Sequence, residues 1–117
     1  MVLFVEYPKC STCQRAKKWL DSHGVEYNSR HIKEESLMAQ EIKMWHEKSG
    51  LPLKGFFNTS GMLYKSMGLK DKLSGMSEEE QYELLSEDGM LVKRPIVVGD
   101  DFVLTGFREK EWEEKMG

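Results

Sequence analysis

Cys10 and Cys13 are the only cysteines of this chain, and just two residues separate them in the run Tyr7-Pro8-Lys9-Cys10-Ser11-Thr12-Cys13. A deprotonated sulfur is a nucleophile and a protonated one is not. The apolar run Val2-Leu3-Phe4-Val5 precedes the pair and a helical pattern follows it. The first sulfur therefore falls where a helix begins, and the free N–H groups and positive dipole end there favour a thiolate. Cys10 is the expected nucleophile, with a pKa lowered from about 8.5 to between roughly 5 and 7. Cys13 lies one turn further along and can attack a mixed disulfide formed on Cys10. The competing uses are a pair of small core residues, or half of a metal site. A sulfur-rich zinc site needs four ligands, and no third cysteine exists. His23, His31 and His46 lack ligand spacing and read as surface residues, so no metal is expected.

The elements around the pair alternate. Val2 to Val5 reads as a short buried strand, and Thr12 to Ser22 as a helix with Ala16, Trp19 and Leu20 on one face. Arg15, Lys17 and Lys18 fall on its solvent face, and Gly24 supplies the stop. A second strand is expected from Val25 to about His31. Ser36 is placed to cap a helix through about Glu47 that buries Met38, Ile42 and Trp45. This β-α-β-α order predicts parallel strands joined by a right-handed crossover. From about 51 to 90 the chain becomes a helical insert. It is broken by Pro52, Gly55, Gly61 and Gly68, then resumes at the capping box Ser77-Glu78-Glu79-Glu80 and ends near Gly89. Ile96-Val97-Val98 and Phe102-Val103-Leu104 flank Gly99-Asp100-Asp101 as a hairpin. A charged helix from Arg108 to Met116 closes the chain. The sum is β-α-β, helical insert, β-β-α: an α/β thioredoxin-like fold with a small mixed sheet, in a single domain covering 1–117.

Composition narrows the partners. Seventeen basic residues stand against twenty acidic ones, for a net charge of −3. Such a balance does not predict direct nucleic-acid binding. No long apolar run or targeting segment is visible, so a cytoplasmic protein without membrane contact is expected. In that compartment a cysteine pair serves redox traffic more often than stapling.

Three features together resemble the glutaredoxin-related arsenate reductase (ArsC) and Spx family: Cys10 after a first strand, the run Arg94-Pro95-Ile96-Val97-Val98, and Gly106-Phe107-Arg108. The resemblance covers essentially the whole chain. It implies that the Lys93-Arg94-Pro95 loop carries a cis proline beside the sulfurs. It also implies that Arg94 and Arg108 join Cys10 and Cys13 in the catalytic group, with Thr12, Asn58 and Pro95 as substrate contacts. The reductases of this family use three arginines on the oxyanion. Two match Arg94 and Arg108, but no arginine lies between Arg30 and Arg94, and Asn58 stands near where the first belongs. Lysine is a poorer substitute, because only arginine offers a planar bidentate fork. Spx-like regulators carry Cys-x-x-Cys at the same place as an oxidation switch and bind the C-terminal domain of the RNA polymerase α-subunit. The arginine of Gly106-Phe107-Arg108 is a reductase feature. The resemblance thus implies a thiol–disulfide oxidoreductase with no bound cofactor. It would act on a small thiol or oxyanion, with glutathione or another thiol as co-substrate. The redox-sensing polymerase binder is the alternative.

Overall fold

A computed structural model describes all 117 residues. Its sheet has four strands: β1 (Val2–Glu6), β2 (Tyr27–His31), β3 (Ile96–Val98) and β4 (Val103–Thr105), in the order β2-β1-β3-β4. β1 runs parallel to β2 and antiparallel to β3, and β3–β4 is the expected hairpin. The helices are α1 (Ser11–Ser22), α2 (Ala39–Ser49), α3 (Met62–Ser66), α4 (Leu69–Lys72), α5 (Glu78–Glu87) and α6 (Glu109–Met116). The mixed sheet and helix order are those of the thioredoxin-like fold.

The pleat of β1 divides the core. Phe4 joins Ala16, Trp19 and Leu20 of α1, Val97, Leu104 and the fully buried Trp112 of α6 on one face. Val5 joins the larger cluster under α2, the insert and α5 on the other. α1 and α6 thus share one side of the sheet, and the insert closes the other.

Two expected boundaries move, each for a local reason. β2 starts at Tyr27 because Val25 is spent on ending α1. The Val25 N–H donates to the Leu20 carbonyl and that of Gly24 to Asp21, with Gly24 at φ 66°. That pair of bonds is a Schellman stop, which needs a left-handed residue. α2 begins at Ala39 rather than after Ser36, and Met38 is exposed, so the expectation that it joins the buried face is wrong. Leu37 takes the buried place instead. The start is fixed by Glu41, whose carboxylate accepts the Met38 N–H at 3.0 Å. The same carboxylate takes both ends of Arg30, at 2.6 and 2.9 Å. Arg30 also donates to the Ser36 and Glu35 carbonyls.

This fork ties β2 to α2. Arg30 holds the Glu41 carboxyl below its usual range, outweighing the opposing effect of partial burial. Arg30→Ala will destabilise the fold by about 1–2 kcal/mol, the site being partly solvent-screened. The contribution is complete above the unfolded carboxyl's pKa of about 4.3 and disappears as pH falls through the lowered folded value. Urea titrations of wild type and Arg30→Ala at neutral pH and in acid check this: the gap will narrow as Glu41 is protonated, leaving only the Arg30 bonds to the Glu35 and Ser36 carbonyls.

Candidate active site

Cys10 is the N-cap of α1, in extended conformation at φ −85°, ψ 122°. The Cys10 N–H donates to the Tyr7 carbonyl at 2.9 Å, which folds the Tyr7-Pro8-Lys9 turn beneath it. Its sulfur is half-exposed, while Cys13, one turn inside the helix, is fully buried and both are free. Burial pushes the Cys10 thiol up, and this is the largest single influence on it. The opposing contacts prevail together: the backbone N–H and thiol of Cys13, the N–H of Thr12 and the Arg94 guanidinium all face the sulfur, and the net shift is downward. The two N–H groups fall short of a full side-chain cap, yet their direction still favours negative charge. Cys13 goes the other way. Burial first, then the negative charge on Cys10, push it up to about 12. The two thiols are thus shifted in opposite directions, Cys10 downward and Cys13 upward.

The loop before β3 supplies the facing wall. The Arg94–Pro95 bond is cis, as the resemblance implies. Arg94 lies over the Tyr7 ring, 5.4 Å from its centroid, and its Nη1 donates to the Met90 sulfur at 3.5 Å. The insert is stitched to this loop: the Lys93 N–H donates to the Phe56 carbonyl at 2.8 Å and the Asn58 N–H to Leu91 at 2.7 Å, around a Phe57–Val92 bridge. Asn58 and Arg94 therefore stand on neighbouring parts of one wall.

Cys10, Thr12, Asn58, Arg94 and Arg108 all line a single cleft of about 910 Å³. Two expected residues do not. Cys13 sits behind Cys10, and Pro95 is buried behind the wall, its carbonyl accepting the Gly106 N–H at 2.7 Å. Pro95 shapes the wall without touching the cavity. That bond sets the turn at Gly106, whose φ of 75° suits glycine and delivers Arg108 to the cleft mouth. Arg108 caps α6, is 79% exposed and reaches Glu111 at 3.8 Å. The groups named above, not Arg108, are the largest influences on Cys10.

Sequence reading missed how many cations share this cleft. Arg15, Lys48, Lys54, Lys93 and Lys115 line it beside the two expected arginines. Their separation along the chain hides them, because α1, α2, the insert and α6 each contribute a residue or two.

Arg94→Ala will raise the Cys10 pKa, because it removes a cation from beside a half-buried thiolate. Arg108→Ala will move it less. The pH dependence of alkylation in the two variants checks both outcomes, and a larger shift in Arg108→Ala would reverse the assignment.

A thioredoxin-like sheet with a half-exposed cysteine at the head of its first helix, a second cysteine one turn on and a cis-proline loop before β3 defines the class of this protein. The chain belongs to the ArsC family, whose model matches residues 5–115. It is 55% identical over 111 residues to the uncharacterized protein YusI of Bacillus subtilis strain 168, spanning 95% of this chain and 94% of that one. It is 30% identical over 108 residues to the regulatory protein MgsR of the same strain, spanning 92% of this chain and 84% of that one. The crystal structure of a putative ArsC family related protein from Bacteroides fragilis superposes with a TM-score of 0.93. That match is 53% identical and covers 97% of this chain and 95% of the other.

Proposed function

We infer that this protein is a thiol–disulfide oxidoreductase in which Cys10 attacks and Cys13 resolves. The observation that carries this reading is the opposite tuning of the two sulfurs: Cys10 lowered and half-exposed, Cys13 raised to about 12 and buried behind it. A primed outer thiolate makes the first attack, and a protected inner thiol acts only once a mixed disulfide sits within its reach. Arg94 stabilises the Cys10 thiolate. Thr12 contributes an N–H at the sulfur, and Asn58 and Arg108 present polar groups to the substrate. Glutathione or another small thiol would return the pair to its reduced state.

The test is a single turnover. Reduced protein mixed with a small disulfide will release two thiols per chain and end as an intramolecular disulfide. Cys13→Ser will stop at a mixed disulfide, visible as a mass increase of one substrate thiol. A wild-type protein that releases no thiol would overturn the reading.

MgsR, named as a regulatory protein, favours a second reading, in which the same pair switches a surface for the C-terminal domain of the RNA polymerase α-subunit. A pull-down with that domain under oxidising and reducing conditions separates the two. Redox-dependent capture without disulfide turnover would select the regulator. Gly106-Phe107-Arg108, a reductase feature that reaches the cleft here, supports the enzyme.

A further inference from the structure

The cleft in front of Cys10 is charged out of proportion to the chain. Seven lysines and arginines line it against two carboxylates, Asp101 and Glu111, in a protein that carries three more acidic than basic residues. Of the seven, only Arg108 has a carboxylate within 4 Å. Arg15 donates to the Thr12 hydroxyl and Lys48 to the Gly99 carbonyl, both neutral acceptors. Lys54, Lys93, Arg94 and Lys115 form no ion pair at all. Unpaired cations sharing one concave surface repel one another, and an anion relieves that repulsion while being drawn in by the focused field.

Size and distribution narrow the anion. A tetrahedral oxyanion fills only a small fraction of about 910 Å³. Lys48 from α2, Lys54 from the insert and Lys115 from the last turn of α6 reach the cleft from three separate elements. Half-exposed Phe102 and Phe107 add apolar surface to the same lining. Such a surface matches a long ligand with several separate negative groups and an apolar or aromatic part.

We propose that the cleft binds disulfides of a phosphate-bearing low-molecular-weight thiol, with the reacting sulfur at Cys10 and the phosphates on the outlying lysines. This rests on the reading of Cys10 and Cys13 as an exchanging pair. The Cys10 thiolate displaces one thiolate from RS–SR and forms Cys10–S–S–R. Cys13, giving its proton to water or buffer base, displaces the second and closes the Cys10–Cys13 disulfide. The protein dithiol loses two electrons, and the substrate disulfide gains them as two thiols.

The experiment compares three disulfides in single turnovers with reduced wild-type protein: coenzyme A disulfide, oxidised glutathione and neutral 2-hydroxyethyl disulfide. At low salt the coenzyme A disulfide will react roughly tenfold or more faster than the neutral one, with oxidised glutathione between them. The advantage will shrink several-fold as salt rises from about 20 mM to about 0.5 M, because the Debye length falls to a few ångströms. In the Lys48→Glu/Lys115→Glu variant the ratio of the two rates will fall at least several-fold. If the neutral disulfide reacts and coenzyme A disulfide is no faster, this inference fails while the oxidoreductase reading stands. If no disulfide reacts, the reading beneath it fails as well. If the charge-reversed variant keeps the full ratio, the phosphates do not lie on these lysines and the proposed placement is wrong.

Discussion

At neutral pH the Cys13→Ser variant, which retains Cys10, will react with iodoacetamide at least about a hundredfold faster than Cys10→Ser, which retains Cys13. Two independent properties give the same sign. Cys10 is half-exposed at the head of α1 and its thiolate is favoured, whereas Cys13 is fully enclosed and its thiol is pushed up to about 12. Removing Cys10 relieves Cys13 of one source of its upward shift, but burial, the larger source, remains. The pH profiles will differ in position. The rate for Cys10 falls as pH drops through its lowered pKa, so its profile lies to the acid side of an ordinary thiol's. The rate for Cys13 will still be rising at the alkaline end of the accessible range. Equal rates, or a faster Cys13, would exchange the roles of the two sulfurs.

Arsenate turnover will lie roughly 10²–10³-fold below that of a three-arginine reductase supplied with the same thiol donor. Loss of one charge-assisted contact to the oxyanion costs on the order of 2–4 kcal/mol. Where the family resemblance calls for the first arginine, this chain places Asn58. Asn58 lines the cleft, and its side chain meets Ser60 at 3.5 Å. Lys54 is the cation the insert offers to the same cavity, and a point charge on a flexible stem cannot supply the missing fork. Asn58→Arg provides the converse measurement, since it restores a guanidinium to that wall and will recover part of the deficit. Wild-type turnover equal to that of a three-arginine enzyme would show that the third arginine is dispensable in this cleft.

The sequence was most readable where local chemistry decides the outcome. The strand before Cys10, the stop at Gly24, the capping box at Ser77 and the hairpin around Gly99 each rest on neighbouring residues, and each forms as expected. The cysteine pair and Arg94 were legible for the same reason, one motif beside a helix start and one beside a strand start. The failures involve partners distant along the chain. Met38 is exposed because Glu41 turns back to its N–H while gripping Arg30, eleven residues away, and no periodicity carries that information. Arg108 opens the charged run Arg108-Glu109-Lys110-Glu111 and is expected to act more weakly than Arg94. Its position at the cap of α6 leaves it at the cleft mouth beside Glu111. The basic lining was the least visible feature, because its cations come from several elements and the chain as a whole is acidic.

All three tryptophans are buried, and the sheet sorts them: Trp45 belongs to the cluster beneath the insert, Trp19 and Trp112 to the one beneath α1. The indole N–H groups of Trp19 and Trp112 are enclosed without a hydrogen-bond partner, and the two rings meet edge to face with centroids 5.5 Å apart. Trp19 also stacks on His23 at 3.9 Å, just past the last turn of the helix that carries both cysteines. The molecule thus contains its own fluorophores, with emission at short wavelength and excitation shared across the Trp19–Trp112 pair. In a Trp45→Phe protein all remaining tryptophan emission comes from the α1 side, so with excitation at wavelengths tyrosine does not absorb a change in how α1 seats on the sheet can be followed optically without any attached label.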